Sequence, residues 1–131
     1  MIALDTNVLL RFVLSDPDEP QTTVAERWVR RHARDGIHVD DIVLCETLWV
    51  LQSRYRWGRA AVAALVGDLI EADGFAFDDD AVVRRALGAF GAGKGDFSDY
   101  LIRERARRAG AEPVATFDRS LHRGAGFQFI G

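Results

Sequence analysis

The sequence is poor in cysteine and in lysine. Cys45 is the only cysteine among 131 residues, so no internal disulfide can form and no cysteine-based zinc site is possible. Lys94 is the only lysine among 17 basic residues, and 20 acidic residues bring the formal net charge to −3. A chain with this charge is not a polycation that coats nucleic acid, although a local basic surface can still steer RNA.

Long hydrophobic runs are also absent. The longest uninterrupted apolar stretch after the first residues, AAVAALV at 60–66, is far too short to span a bilayer. The opening MIALDTNV has neither the basic residues nor the long apolar stretch of a signal peptide. These absences predict a cytoplasmic protein without a membrane segment.

Strand-like and helix-like segments alternate along the chain. Short apolar runs bounded by turn residues predict strands, and apolar residues spaced three and four apart predict helices. The predicted strands are 2–4, 37–39, 75–77, 113–117 and 127–130, and the predicted helices are 7–14, 20–34, 42–57, 59–72, 79–90 and 97–109. This alternation predicts an α/β fold with three layers, in which helices flank a parallel sheet of about five short strands. The length suits a single domain over residues 1–131.

Two aspartates follow predicted strands. Asp5 stands where the first strand gives way to the first helix, and Asp118 comes directly after the strand at 113–117. Ligands of open α/β sheets bind at the carboxyl ends of the strands, so both positions are candidates for a site. Thr6 and Asn7 add a hydroxyl and an amide at the first turn. The plainer alternative makes Asp5 a helix N-cap and Asp118 a turn residue.

Glu46 is an acidic residue inside an apolar helix. It lies in the segment IVLCETLWVL, in which eight of ten residues are apolar. A carboxylate in such surroundings needs a partner, because an isolated buried charge is costly. That partner is a neighbouring hydroxyl, an arginine or a metal ion.

Asp96 and Asp99 begin the predicted helix at 97–109, within the segment GDFSDYLI. Their spacing of three places both on one face of the first turn. They either cap the helix and interact with its dipole or point together at a cation.

The kinds of acidic residue present decide which metal the sequence favours. Carboxylate oxygens are hard ligands that suit Mg²⁺ or Mn²⁺, and no segment supplies a cysteine or histidine cluster for zinc. Several carboxylates in one pocket would repel one another unless a divalent ion neutralised them. The sequence therefore predicts a Mg²⁺ or Mn²⁺ site, and such ions support phosphodiester hydrolysis.

Four segments together resemble one family. The DTNV opening, the glutamate within the apolar third helix, GDFSDYLI and TFDRSL resemble a PIN-domain ribonuclease, most closely the VapC toxins of bacterial toxin–antitoxin pairs. The resemblance covers the whole chain, from Asp5 to the last strand. It implies about five parallel strands with an acidic cluster at their carboxyl ends, and RNA cleavage by water activated with Mg²⁺ or Mn²⁺.

The resemblance also implies roles for individual residues. The expected catalytic residues are Asp5, Glu46, Asp99 and Asp118, the expected metal ligands are these four and Asp96, and the expected supporting polar residues are Thr6, Asn7 and Thr116. Arg11 and Arg119 lie near the acidic turns and are candidate RNA contacts. The three histidines lack the spacing of a histidine-based ribonuclease, although His122 is close to Asp118 in sequence.

A VapC-like chain is expected to cleave structured cellular RNA, either tRNA or rRNA, and so to inhibit translation and growth. Its expected partners are the RNA, a VapB-like antitoxin and a second copy of itself. Apolar residues of the first, second and fourth helices are candidates for a groove that the antitoxin covers, namely Phe12, Trp28, Leu65 and Leu69.

Two other functions compete with this interpretation. The first is a PIN-fold module that binds RNA or protein without cutting. The second is nucleotide hydrolysis, because GAFGAGKG at 88–95 matches the start of a phosphate-binding loop. Gly95 replaces the Ser or Thr that would bind Mg²⁺ there, and the segment follows a helix, so a turn between helices is the better prediction.

Overall fold

The computed structural model describes residues 1–121 and 124–131 and contains six α-helices and five strands within them. In chain order these are β1 (Ile2–Ala3), α1 (Thr6–Leu14), α2 (Pro20–His32), β2 (Ile37–Val39), α3 (Asp41–Ser53), α4 (Arg59–Glu71), β3 (Phe75–Phe77), α5 (Asp80–Ala92), α6 (Phe97–Arg108), β4 (Val114–Thr116) and β5 (Phe127–Phe129). All strand pairs are parallel, so the predicted α/β class is confirmed. The chain divides into two compact units, Met1–Asp80 and Ala81–Gly131. No helix of the described ranges is long and apolar enough to cross a membrane.

The first unit is built on a three-stranded sheet with the order β1-β2-β3. Ile2 lies beside Ile37 in the first strand pair, and Val39 lies beside Phe77 in the second. Helix α1 packs against α2 and α3. Because all three strands run the same way, their carboxyl ends share one edge, and an aspartate follows each strand within two residues (Asp5, Asp40 and Asp78).

Helix α3 begins where the sequence predicts but ends early. The carboxylate of Asp40 caps it by accepting a hydrogen bond from the amide of Ile42 at 2.7 Å. The prediction that the helix continues to residue 57 is wrong. Arg56 has a positive φ of 57°, and the amide of Trp57 donates to the carbonyl of Leu51, which turns the chain away before Gly58.

The two sides of α3 differ in burial. Leu44, Leu48 and Leu51 are buried in the core of the first unit. Ile42 and Trp49 on the other side are 70% and 65% exposed. The helix is therefore apolar on its solvent side as well as on its core side.

The second unit pairs β4 with β5, and Thr116 lies beside Phe129 in that pair. Helix α5 continues two residues beyond its predicted end, to Ala92, so the first half of the glycine-rich segment is helical. The remaining turn packs on Tyr100, whose hydroxyl accepts hydrogen bonds from the amides of Lys94 and Gly95 at 3.1 and 3.0 Å. A Cβ atom at Gly93 would collide with that hydroxyl. The predicted turn between helices is thus confined to residues 93–95.

A buried ion network joins α6 to the loop before β5. Glu104 is 4% exposed and accepts hydrogen bonds from Arg103 Nε at 3.1 Å and Arg107 Nη1 at 2.8 Å. Arg103 also donates to the carbonyl of Ala125 at 3.1 Å. At the exposed end of the network, Arg107 Nε donates to Glu112. Each buried charge thus has a partner, which offsets the cost of removing it from water.

The buried position of Glu104 leads to a stability prediction. Replacing Glu104 with Gln leaves the Arg103 guanidinium buried without a counter-charge, and we expect the free energy of unfolding to fall by about 3–5 kcal/mol. The matched control is Glu112→Gln at the exposed end of the same network, which we expect to cost less than about 1 kcal/mol. Urea denaturation followed by circular dichroism measures both. Equal losses would contradict the assignment of Glu104 as the centre of the network.

Candidate active site

Asp5 lies at the junction of β1 and α1 and is exposed. Its backbone is extended, and its Oδ1 accepts a hydrogen bond from the amide of Val8 at 3.1 Å. Asp5 is therefore the N-cap of α1, the plainer of the two alternatives from the sequence. Capping occupies one carboxylate oxygen, and Oδ2 has no hydrogen bond with any described residue.

Glu46 is placed differently from the expectation. The predicted buried, apolar surroundings are wrong, because Glu46 is exposed on the solvent side of α3. It does have a partner of the predicted kind, since its Oε1 accepts a hydrogen bond from the Thr6 hydroxyl at 3.0 Å. That bond joins the beginning of α1 to the middle of α3. Thr6, Asn7 and Glu46 line one groove of the first unit.

Asp96 and Asp99 lie at the start of α6, as the sequence predicts. The Oδ2 of Asp99 accepts a hydrogen bond from the amide of Asp96 at 2.8 Å, which stabilises the first turn. Burial raises the pKa of Asp99, and the negative charges of Asp96 and Asp118 raise it further, against the opposing effect of the Asp96 amide. In the second unit, Asp99 thus lies close enough to Asp96 and to Asp118 to be repelled by both.

Asp118 follows β4 and is exposed. Its Oδ1 accepts hydrogen bonds from the hydroxyl and the amide of Ser120 at 2.7 and 2.9 Å, and both bonds lower the pKa of Asp118. The Oγ1 of Thr116 accepts a hydrogen bond from the amide of Asp118 at 3.0 Å, so Thr116 orients the backbone at this position. Ser120 was not identified from the sequence, although an aspartate two residues before a serine is typical of such a turn.

The four expected catalytic carboxylates share one property. Each uses a single oxygen for a hydrogen bond that orients it, and none forms an ion pair with a described residue. Each therefore keeps a negatively charged oxygen with no protein cation beside it. Carboxylate oxygens in this state are hard donors of the kind that suits Mg²⁺ or Mn²⁺.

The two arginines expected to contact RNA are held by the protein itself. Arg11 Nε donates to Gln21 Oε1 at 3.2 Å, and Arg11 Nη2 lies 3.8 Å from Glu19 Oε2. The guanidinium of Arg119 lies over the Phe129 ring, 4.5 Å from its centre. Their contact with RNA stays a prediction. His122 lies outside the described residues.

A separate group of metal-binding residue types was not predicted. Donor atoms of His38, Asp40 and Asp78 all lie within 4.8 Å of one another. Each carboxylate already has a structural task, because Asp40 caps α3 and Asp78 accepts bonds from the Asp41 amide at 2.9 Å and His38 Nε2 at 2.8 Å. These contacts tie α3, β2 and β3 together.

Two grooves of the first unit begin at the turn that carries Asn7. One, of about 340 Å³, runs between α1 and α2 and is lined by Asp5, Val8, Val24 and Trp28 among others. The other, of about 510 Å³, runs between α1 and α3 past Glu46. Trp28, one of the apolar residues predicted to line a groove, lines the first of these two. Of the other residues expected to line it, Leu69 is buried and Phe12 is half-buried with its ring against Phe75.

Comparison with known proteins identifies the family. The family model of the PIN domain matches residues 2–126, which is nearly the whole chain. A curated VapC ribonuclease of Aquifex aeolicus is 25% identical over 132 residues, covering 99% of this chain and 96% of the relative.

Among solved structures, the chain is similar to VapC20 of Mycobacterium tuberculosis, which is described as a toxin that cleaves the sarcin–ricin loop. The match covers 100% of both chains at 18% identity with a TM-score of 0.43. The family match alone extends over far more than half of the sequence. The predicted family is thereby confirmed, and this chain belongs to the PIN domain family.

Proposed function

We propose that this chain is a Mg²⁺- or Mn²⁺-dependent endoribonuclease that acts as the toxin of a VapBC-type toxin–antitoxin pair. It is a PIN-domain nuclease, related over nearly its entire length to a VapC ribonuclease. Its substrate under this proposal is structured cellular RNA, either tRNA or rRNA, and cleavage inhibits translation in the cytoplasm. We propose that residues 1–131 act as one PIN domain, in which Asp5, Glu46, Asp96, Asp99 and Asp118 hold the ion.

The observation that carries the proposal is that four carboxylates are oriented by hydrogen bonds but have no cationic partner among the described residues. Asp5, Glu46, Asp99 and Asp118 are each oriented by a hydrogen bond to one oxygen, and none has a cationic partner in the described ranges. These hydrogen bonds leave the second oxygen of each carboxylate available to a cation, and in the second unit a bound cation would relieve the repulsion that Asp96 and Asp118 exert on Asp99.

The residues would divide the work of phosphodiester hydrolysis between them. A divalent ion, when bound, would lower the pKa of a bound water and stabilise charge on the phosphate oxygens. The carboxylates would hold that ion, and Thr6, the Asp96 amide and Ser120 orient the carboxylates. Asn7 sits exposed at the same turn as Asp5 and can donate a hydrogen bond to a phosphate oxygen.

The groove between α1 and α2 suits the antitoxin. Val24 is 65% exposed there, and Val8 and Trp28 add apolar surface beside Asp5. We propose that an apolar segment of a VapB-like antitoxin fills this groove and covers Asp5. We also propose that the toxin forms a homodimer, which sedimentation analysis of the purified chain would test.

Cleavage of RNA is the first test of the proposed function. Purified protein, free of antitoxin, is incubated with mixed tRNA and rRNA in Mg²⁺, Mn²⁺ or EDTA. We expect discrete fragments that require metal and that carry 5′-phosphates. If folded protein binds both Mn²⁺ and RNA but does not cleave the RNA, the result would instead support the alternative function, a PIN-fold module that binds without cutting.

Amide variants test the carboxylates without removing their hydrogen bonds. Asp5→Asn, Glu46→Gln, Asp99→Asn and Asp118→Asn each keep an oxygen that can accept the orienting bond but lose the negative charge. We expect the rate of cleavage to fall by roughly 100-fold or more in each variant. The loss of a metal ligand should cost more than the roughly 10- to 100-fold that is typical when a residue that only orients a ligand is lost. The control is Asp35→Asn, an exposed aspartate outside both grooves. Retained activity in the four variants would refute the assignment.

The pKa shifts predict opposite effects on the stability of metal-free protein. The raised pKa of Asp99 means that its stabilising contribution is present at low pH and is lost as pH rises through the folded-state pKa. The lowered pKa of Asp118 means that its contribution is present above the unfolded-state pKa and is lost in acid. In EDTA at pH 7, Asp99→Asn should therefore raise the Tm and Asp118→Asn should lower it, and both differences should shrink toward pH 3. Shifts of the same sign would contradict this account.

Ser120 provides a test of positioning. Ser120→Ala removes the hydroxyl that donates to Asp118 at 2.7 Å, whereas Ser120→Thr keeps a hydroxyl. We expect the alanine variant to bind Mn²⁺ roughly 10- to 100-fold more weakly, in line with other residues that orient metal ligands. Calorimetric titration measures both affinities. Equal weakening in the threonine variant would show that the hydroxyl is not the cause.

Introducing a negative charge into the groove between α1 and α2 tests whether the antitoxin binds there. Val24→Asp places a carboxylate on apolar surface, and we expect the complex with the cognate antitoxin to weaken by roughly 10-fold or more, with RNA cleavage unchanged. Ile102→Asp is the control, because Ile102 is also exposed but lies on α6. Pull-down with the co-expressed antitoxin measures the loss, and equal losses in both variants would remove the groove from the proposal.

A further inference from the structure

The groove between α1 and α3 carries more than the candidate metal ligand Glu46. Trp49 and Arg54 line the same groove, together with Thr6 and Asn7. Trp49 lies three residues after Glu46 on α3, and Arg54 is the C-cap of that helix. With a rise of about 1.5 Å per residue, the Cα atom of Trp49 lies roughly 5 Å and that of Arg54 roughly 12 Å along the helix axis from the Cα atom of Glu46.

Trp49 is an exposed aromatic residue without a ring partner. It is 65% exposed, and no described aromatic or cationic group contacts its ring. An indole left in water forgoes the large stabilisation that burial of an aromatic side chain provides. A flat, exposed ring beside a candidate catalytic carboxylate is suited to stacking on an unpaired base.

Arg54 is exposed and forms no ion pair with the described residues. Its charge suits the C-terminal end of a helix, but the same position also leaves the guanidinium open to a phosphate. Arg11, in the other groove, is held by Gln21 and Glu19. Of these two groove-lining arginines, Arg54 is therefore the better phosphate contact.

We propose that this groove binds an unpaired nucleotide adjacent to the scissile phosphate. The base of that nucleotide stacks on Trp49, and the phosphate on its far side, away from the scissile bond, contacts Arg54. This inference rests on the proposed ribonuclease function and extends it to substrate positioning. The sequence of carboxylate, aromatic ring and cation along the groove matches the alternation of phosphate and base along a single strand. A peptide is better served by the groove between α1 and α2, where Val8, Val24 and Trp28 provide an apolar surface.

The test measures binding and cleavage separately. Binding of a fluorescein-labelled 12-nucleotide single-stranded RNA of mixed sequence is followed by anisotropy in EDTA, which prevents cleavage under the proposed function. The variants are Trp49→Ala, Trp49→Phe, Arg54→Ala and Arg56→Ala. Arg56 is the matched control, because it is an exposed arginine two residues from Arg54 that does not line the groove.

We expect Trp49→Ala to weaken binding by roughly 5- to 100-fold, the effect of losing one base stack, and Trp49→Phe to retain most of the affinity. Arg54→Ala should weaken binding and reduce the dependence of log K on log salt by about one unit, whereas Arg56→Ala should change neither. In Mg²⁺, Trp49→Ala should raise the KM for RNA cleavage with a smaller effect on kcat.

The failures of the two proposals can be told apart. If the unsubstituted protein cleaves RNA and Trp49→Ala binds and cleaves like it, the stacking site is wrong and the ribonuclease proposal stands. If the unsubstituted protein neither binds nor cleaves RNA, both fail. If Trp49→Ala leaves RNA affinity unchanged but reduces the sedimenting mass or abolishes antitoxin binding, the groove is a protein interface and the inference is overturned.

Discussion

Electrostatic repulsion between carboxylates is the constraint on which the candidate site depends. Burial, together with the charges of Asp96 and Asp118, raises the pKa of Asp99, so the second unit holds this group at a cost when it is ionised. The first unit leaves Asp5 and Glu46 without cationic partners in the described part of the chain. A divalent ion relieves such repulsion, which is why the acidic groups and the proposed chemistry belong together.

Local hydrogen bonds fix the orientation of these carboxylates. The amide of Val8 holds Asp5, the Thr6 hydroxyl holds Glu46, and Ser120 holds Asp118. Each donor acts on one oxygen only, so orientation is fixed while the other oxygen stays available. Asp78 at the edge of the first sheet shows the contrast, because both of its oxygens are used, one by the Asp41 amide and one by His38, whereas Asp40, like Asp5, caps a helix with one oxygen. Position at the carboxyl edge of a sheet is therefore insufficient to identify a ligand.

Much of this could be predicted from the sequence because the signals are local. Strands such as 37–39 and 75–77 were predicted to the residue, since short apolar runs are bounded by turn residues. The end of α3 was missed because Arg56 has a left-handed backbone that its residue type does not reveal. The exposure of Glu46 was missed because an apolar segment does not show which of its sides packs. The ion network of Glu104 depends on residues that only the fold brings together.

The central claim is that a divalent ion binds at the predicted carboxylates, and paramagnetic broadening by Mn²⁺ tests it most directly. Substoichiometric Mn²⁺ is added to isotopically labelled full-length chain, and the amide signals that disappear mark the residues around the ion. We expect early loss near Asp5, at Thr6 and Val8, and near the second-unit carboxylates, at Asp99 and Ser120. Loss confined to the residues around His38, Asp40 and Asp78, or broadening without a focus, would contradict it.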